Sequence, residues 1–256
     1  MRIAAVAEQL RQVVPVRLTV IAACDPRVWP VSLAAVTDAW HPASCDAGVV
    51  QSDDVTVDLA ATTESLGRWL SDLPAIVDRE AERLAGRFDL VLGDVPSPAF
   101  EAADRVGIQS VAVANFSWDW IYEQLGFTEA AAAAARGYSR SGLLLEALPF
   151  GPMPAFARRS NVGLVTRVPS SNSESTRLTL GAGPDESVVL LAFQPSSAPA
   201  LLLPPRRRGR TFLVPGSWPL DGSRDDVRAL PAGLRFEDAI AASDVVVGKP
   251  GYGLLG

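Results

Sequence analysis

Directly after an apolar run at residues 110–114, the stretch NFSWDWIYEQ (115–124) alternates polar and aromatic side chains. Asn115, Ser117 and Asp119 offer hydrogen-bonding groups, while Trp118 and Trp120 offer flat apolar faces on which a sugar ring could stack. Ligands of open α/β sheets bind beyond the carboxyl ends of the strands, which is where this stretch would stand. The same residues also fit a packing role, with Phe116, Trp120 and Tyr122 filling a core at the start of a helix and Ser117 or Asp119 as its N-cap. Residue types alone leave both roles open.

A second place is GKPGYG (248–253), which follows an apolar run at 245–247. Glycines after a strand let the backbone approach a phosphate, and free N–H groups at a following helix start would attract it. Lys249, the only lysine among 23 Lys and Arg, could add a charge. The pattern fits neither a P-loop nor G-x-G-x-x-G, so a plain turn is the competing reading. His41, the sole histidine, precedes a proline and reads as a surface or loop residue rather than a base. Asp53 and Asp54 are adjacent, so their side chains diverge in extended chain, and a solvated loop is expected. One histidine leaves no Ser/His/Asp triad to choose. Cys24 and Cys45 lie in no metal-ligand spacing and read as buried, reduced thiols.

The elements that must position these residues follow from periodicity. Ile3, Val6, Leu10 and Val13 recur at helical spacing, so the chain opens on an amphipathic helix, with a β-rich run at 16–22 after it. Leu66, Trp69, Leu70, Leu73, Ile76, Val77 and Leu84 mark a second helical face, which Pro74 must start, kink or divide. FDLVLGD is a strand ending at Asp94, followed by a helix over 99–106 and a strand over 110–114. Such continuous apolar runs belong to parallel sheets covered on both faces. Residues 149–172, rich in Pro, Ser, Gly and Arg, read as a linker. Beyond them a helix at 173–180, strands at 188–193 and 211–214, a short helix at 236–241 and a last strand restart the alternation. The alanine tract at 130–135 reads as compositional bias without a function.

Hydrophobic residues at 48% and charged residues at 20% of 256 make this a globular composition. A net charge of -6 and a pI near 4.9 provide no footprint for a polyanion, which argues against nucleic acid as a partner. Arg206, Arg207, Arg208 and Arg210 sit in a Pro-rich stretch and read as a solvated loop. Glu8, Gln9, Arg11 and Gln12 interrupt the N-terminal apolar residues, unlike a signal peptide, and no apolar run approaches the ~20 residues that cross a bilayer. A cytoplasmic protein without a transmembrane segment is expected.

Four stretches together carry a resemblance: DAGVVQSDDVTVD (46–58), GIQSVAVANFSWDWIYE (107–123), FGPMPAF (150–156) and IAASDVVVGKPGYG (240–253). They resemble the glycosyltransferase-like domain found at the N-terminus of plant L-arabinokinases and free-standing in bacterial proteins. More distantly, the chain is similar to UDP-sugar transferases of the GT-B fold, including the one that adds N-acetylglucosamine in peptidoglycan synthesis. The resemblance implies an α/β fold of two Rossmann-like domains: 1–150 on the acceptor side, a linker at 151–165, and 166–256 on the donor side. It implies acceptor-binding roles for Asp94, Asn115, Ser117, Trp118 and Asp119 at an interdomain cleft. It places Gly248, Lys249, Gly251, Tyr252 and Gly253 near a donor diphosphate. It assigns no catalytic residue, metal or cofactor, the nucleotide sugar being a substrate and the acceptor unknown.

Against the family pattern the chain starts within the first helix, after the strand and Gly/His-rich loop of relatives, and ends before their glutamate-bearing helix. Phe193-Gln194-Pro195 stands where relatives have a Gly-Gly turn after Phe. The expectation is therefore a GT-B fragment, its first domain lacking the first strand and its second incomplete, with transfer activity in doubt in this form. The alternative is a non-catalytic sugar- or nucleotide-binding module related to the N-terminal domain of a sugar kinase. A nucleotide-sugar epimerase shares the fold, but no residue selects it.

Overall fold

The computed structural model describes residues 2–249 except 27, 28, 30, 194–196, 198–202 and 221, with only the backbone of residues 31 and 32. The chain divides into two compact units, one built from Met1–Val50 and Asp58–Thr166, the other from Gln51–Val57 and Arg167–Leu255.

The first unit runs α1 (Arg2–Val13), β1 (Thr19–Ile21), α2 (Val31–Val36), β2 (Ala39–His41), α3 (Leu59–Leu84), β3 (Leu90–Gly93), α4 (Ser97–Arg105), β4 (Gln109–Ala114), α5 (Trp118–Gln124), α6 (Thr128–Tyr138), β5 (Leu143–Ala147) and β6 (Arg159–Val162). Its main sheet is parallel throughout, in the order β3-β4-β5-β6, and β1 and β2 form a separate parallel pair. Among the described residues β1 pairs only with β2 and β3 only with β4, so each keeps one edge without a ladder.

The second unit runs α7 (Ser173–Thr179), β7 (Ser187–Ala192), β8 (Arg210–Val214), β9 (Val227–Ala229), α8 (Phe236–Ala242) and β10 (Val245–Gly248). Its parallel sheet has the order β10-β7-β8-β9. Val188, Leu190 and Leu213 pack on α8 through Ala239 and Ala242, while Val189, Leu191, Phe212 and Val214 pack on the other face with Trp218. Both faces are covered, which explains the unbroken apolar runs. The α/β, Rossmann-like character expected from the alternation is what both units show.

Helix starts are set locally. Asp58 Oδ1 accepts from the Ala61 N–H at 2.9 Å to cap α3, and Asn172 Oδ1 accepts from the Ser175 N–H at 2.8 Å to cap α7; such caps contribute about 1 kcal/mol each. Four expectations need correction. Helix α3 continues for 26 residues through Pro74, so the proline neither starts nor divides it; the Asp58 cap and a buried face from Thr62 to Leu84 hold both sides. The presumed linker at 151–165 contributes β6, an edge strand paired with β5, and the units divide after Thr166. The alanine tract is the buried face of α6, where small side chains let α4 and α5 pack closely. Gly137, at the end of that helix, has no room for a Cβ, which would lie 2.4 Å from the Ser97 backbone oxygen. Cys24 is exposed, in the loop after β1, while Cys45 is half-buried; both are free thiols.

Candidate functional site

The carboxyl ends of β3 and β4 present Asp94 and Asn115. Arg2, at the start of α1, donates from its two terminal nitrogens to both: Nη2 lies 2.6 Å from Asp94 Oδ1, and Nη1 bonds Asn115 Oδ1. One guanidinium thus ties the helix start to two strand ends. Val95, next after Asp94, is buried and has φ of 59°, a left-handed conformation that strains a β-branched residue. Strain of this kind persists where the surroundings over-determine it, often at ligand sites.

The segment after β4 inverts the usual burial. Asn115, Ser117 and Asp119 are only 3%, 0% and 6% exposed, whereas the interleaved Phe116, Trp118 and Trp120 are only partly buried. Of the core-filling trio expected, Tyr122 is in the core, Phe116 packs against it, and Trp120 is only partly buried. Ser117 does occupy the N-cap position of α5, yet its hydroxyl makes no capping bond. Ser117 Oγ and Asp119 Oδ1 are buried with no hydrogen-bond partner. Trp118 stacks on Tyr122 with centroids 5.6 Å apart and lies over Gly48, whose φ of 66° suits glycine.

Beneath these residues Tyr138 donates from its hydroxyl to the Val95 carbonyl at 2.8 Å and accepts from the Trp118 N–H at 3.3 Å. Its ring stacks on Phe156, which with Met153 comes from FGPMPAF, and the Gly151 N–H of that stretch donates to the Asn115 carbonyl at 2.9 Å. The motif thus supports the site from below. Burial first, then Asp46 and Asp119, push the Tyr138 phenol well up, so it stays a neutral donor.

Asp46 completes the cluster. It accepts from the Ser97 N–H at the start of α4 and feels the charge of Asp94. Burial pushes its carboxyl up to about 8, against that hydrogen bond and with help from the Asp94 charge. Neither Arg2 nor Asp46 is reachable by local spacing; the only pointer to Asp46 is its place at the head of DAGVVQSDDVTVD.

In the second unit, Gly248 closes β10 beside Ala192 at the end of β7, and Lys249 follows, half-buried. Asp53 Oδ1 accepts from the N–H groups of Val55 and Thr56 at 2.8 Å each, closing a turn under the Gln51–Val57 bridge. Those bonds, and more weakly Lys249, hold its carboxyl below the usual range. Asp54 accepts from the Ser197 hydroxyl, so neither carboxylate is merely solvated. Gly251, Tyr252 and Gly253, and likewise Gln194 and Pro195, lie outside the described residues. His41 ends β2 and is exposed. Among the described residues no group of His, Cys, Asp and Glu could hold a metal ion, and no helix is long and apolar enough to cross a membrane.

The sequence is 34% identical over 222 residues to L-arabinokinase of Arabidopsis thaliana, a match covering 82% of this chain and 21% of that protein. The resemblance expected from the four stretches therefore extends along most of the sequence, while the chain spans about a fifth of the relative's length. Among solved structures, MurG from Acinetobacter baumannii is a distant likeness, with a TM-score of 0.45 and 16% identity over 100% of this chain and 71% of that one. No family model matches.

Proposed function

We propose that the chain recognises a sugar and a nucleotide sugar in the manner of a GT-B glycosyltransferase, the first unit holding a hydroxyl-rich acceptor and the second the activated donor. The observation that carries this reading is the inverted burial after β4, where Ser117 and Asp119 hold orphaned oxygens in a buried setting. An unpaired buried polar atom costs about 1–3 kcal/mol, so a sequence selected for stability alone would place apolar groups there. A saccharide, whose hydroxyls both donate and accept, supplies the missing partners, and the partly exposed Trp118 offers it an aromatic edge.

Similarity to L-arabinokinase, by name a kinase of the sugar L-arabinose, supports a sugar ligand. For the donor, Gly248 and Lys249, with Gly251, Tyr252 and Gly253 of the following sequence, are the proposed diphosphate contacts. Calorimetric titration of the 256-residue chain with UDP, GDP, their sugar conjugates and free L-arabinose tests the reading. Saturable binding of a nucleotide sugar and of a free sugar at separate sites is expected; heat-silent titrations with every one of them would sink it.

A second reading, a non-catalytic binding module of a larger sugar kinase, draws on the match to only 21% of the relative. It differs in outcome: the module binds sugar but releases no free nucleoside diphosphate from a nucleotide sugar offered with an acceptor.

A further inference from the structure

Arg79, Arg83 and Arg87 recur every four residues along the end of α3 and the turn beyond it, the spacing that keeps side chains on one face. The Arg87 N–H donates to the Leu84 carbonyl at 3.1 Å, which holds the third arginine against the helix end. All three line one open cavity of about 310 Å³, together with Glu82 and Phe88 of the same segment and His41 from the end of β2. Glu80, only 1% exposed, anchors two of the guanidiniums: Arg79 through Nε at 3.2 Å and Arg83 through Nη1 at 2.9 Å. Both terminal nitrogens of Arg79 and Nη2 of Arg83 make no hydrogen bond among the described residues. The side chains of Arg87 and His41 make neither a hydrogen bond nor an ion pair there. A helix C-terminus attracts cations, but that effect fades within the last turn, and Arg79 stands more than a turn before Leu84. Like charges four apart on a helix repel, so the cluster has a cost that the fold alone does not require.

We propose that this cavity binds a small organic phosphate, at a site that shares no residue with the groups after β4 or with Gly248 and Lys249. Guanidinium forks match phosphate oxygens in geometry, and several together suit a dianion with three acceptor oxygens better than a lone carboxylate. Glu80 holds two of the forks in place before a ligand arrives, which lowers the ordering cost of binding. Three arginines against Glu80 and Glu82 leave the cavity positive in a protein whose net charge is -6. That overall charge opposes an extended polyanion and leaves a small anion as the fitting occupant. The cavity is also larger than a bare phosphate ion needs and falls within the range of small-molecule sites. The partly buried Phe88 offers an apolar surface to the organic part, and His41 and Glu82 offer hydrogen-bonding groups to its hydroxyls.

His41 is the only histidine, so its imidazole C–H signals report on this cavity alone in NMR titrations of the 256-residue chain at fixed pH and ionic strength. D-ribose 5-phosphate should shift them saturably with a Kd below about 1 mM, inorganic phosphate should bind about tenfold more weakly for want of the organic part, and D-ribose should leave them unmoved. Arg87→Ala removes a guanidinium whose side chain bonds nothing in the fold, so it should keep the wild-type melting temperature and weaken ribose 5-phosphate about tenfold or more. Arg87→Lys, which keeps the charge without the fork, should fall between the two. His41 signals that no phosphate moves, or that D-ribose moves equally, overturn the site, as does wild-type affinity in Arg87→Ala. Equal Kd for inorganic phosphate and ribose 5-phosphate overturns the organic ligand. The wild-type titration decides even if a variant fails to fold, and neither result bears on the saccharide and nucleotide-sugar reading, which rests on other residues.

Discussion

Asp46→Asn should make the protein more stable, and only at neutral to alkaline pH. In an unfolded chain an aspartate titrates near about 3.9, whereas the folded Asp46 titrates at about 8. Because the folded value is the raised one, folding takes up a proton between them, and stability falls as pH rises through that window. At ~1.4 kcal/mol per unit, the undiscounted penalty at pH 7 is about 4 kcal/mol. Asp46 keeps part of its surface in water, and solvent screening reduces the figure to roughly 2 kcal/mol. Asparagine carries no such penalty, and its amide oxygen still accepts from the Ser97 N–H. The variant should therefore melt about 4–8 °C higher than wild type at pH 7–8 and at the same temperature near pH 4. Thermal unfolding of both proteins from pH 4 to pH 9, followed by circular dichroism, measures this directly. Parallel curves, or a variant less stable at pH 8, would refute the account of Asp46 as a group forced to hold a proton.

Gly137→Ala sets a helix-propensity gain of about 1 kcal/mol against a Cβ placed 2.4 Å from the Ser97 carbonyl oxygen; the clash should win, with a net loss of about 1–3 kcal/mol in urea unfolding. Tyr138→Phe leaves the Val95 carbonyl and the Trp118 N–H without their shared partner and should cost about 1–3 kcal/mol, read from the same denaturation curves. Asp238 accepts from the Ser170 hydroxyl and from the Ser170 and Ser171 N–H groups. Burial opposes ionisation there, but these bonds and Arg235 outweigh it and hold the carboxyl below its usual value. Its stabilisation is present above about pH 4 and lost as pH falls, so Asp238→Asn should destabilise by about 1–2 kcal/mol at pH 7 and by progressively less in acid.

Much of the scaffold was legible because burial writes itself into short patterns. The runs at β4, β7 and β8 are apolar on both sides of the chain since both faces of their sheets are covered. The misjudged places are those where the pattern has another cause. Strand β6 reads Arg-Ser-Asn-Val and is mostly exposed, as an edge strand can be, so no apolar signal separates it from a loop. Helix α3 tolerates Pro74 because tertiary packing and a distant cap outweigh a local break. The alanines of α6 carry a packing role that composition alone cannot distinguish from bias. At the site, Asn115, Ser117 and Asp119 announced themselves by type, but their inward orientation is the reverse of what alternation with aromatics suggests. Arg2 meets its partners across 92 and 113 positions, a relation that the fold creates and no local spacing encodes.

The central claim is that the buried polar groups after β4 are kept for a ligand rather than for stability, and Ser117→Ala tests it with one pair of numbers. The hydroxyl is fully buried and has no partner, so its removal should raise stability by about 1 kcal/mol while weakening the binding of a saccharide to the same protein. A variant that is less stable and binds sugar as well as wild type would contradict the claim, because Ser117 would then be serving the fold and not the ligand.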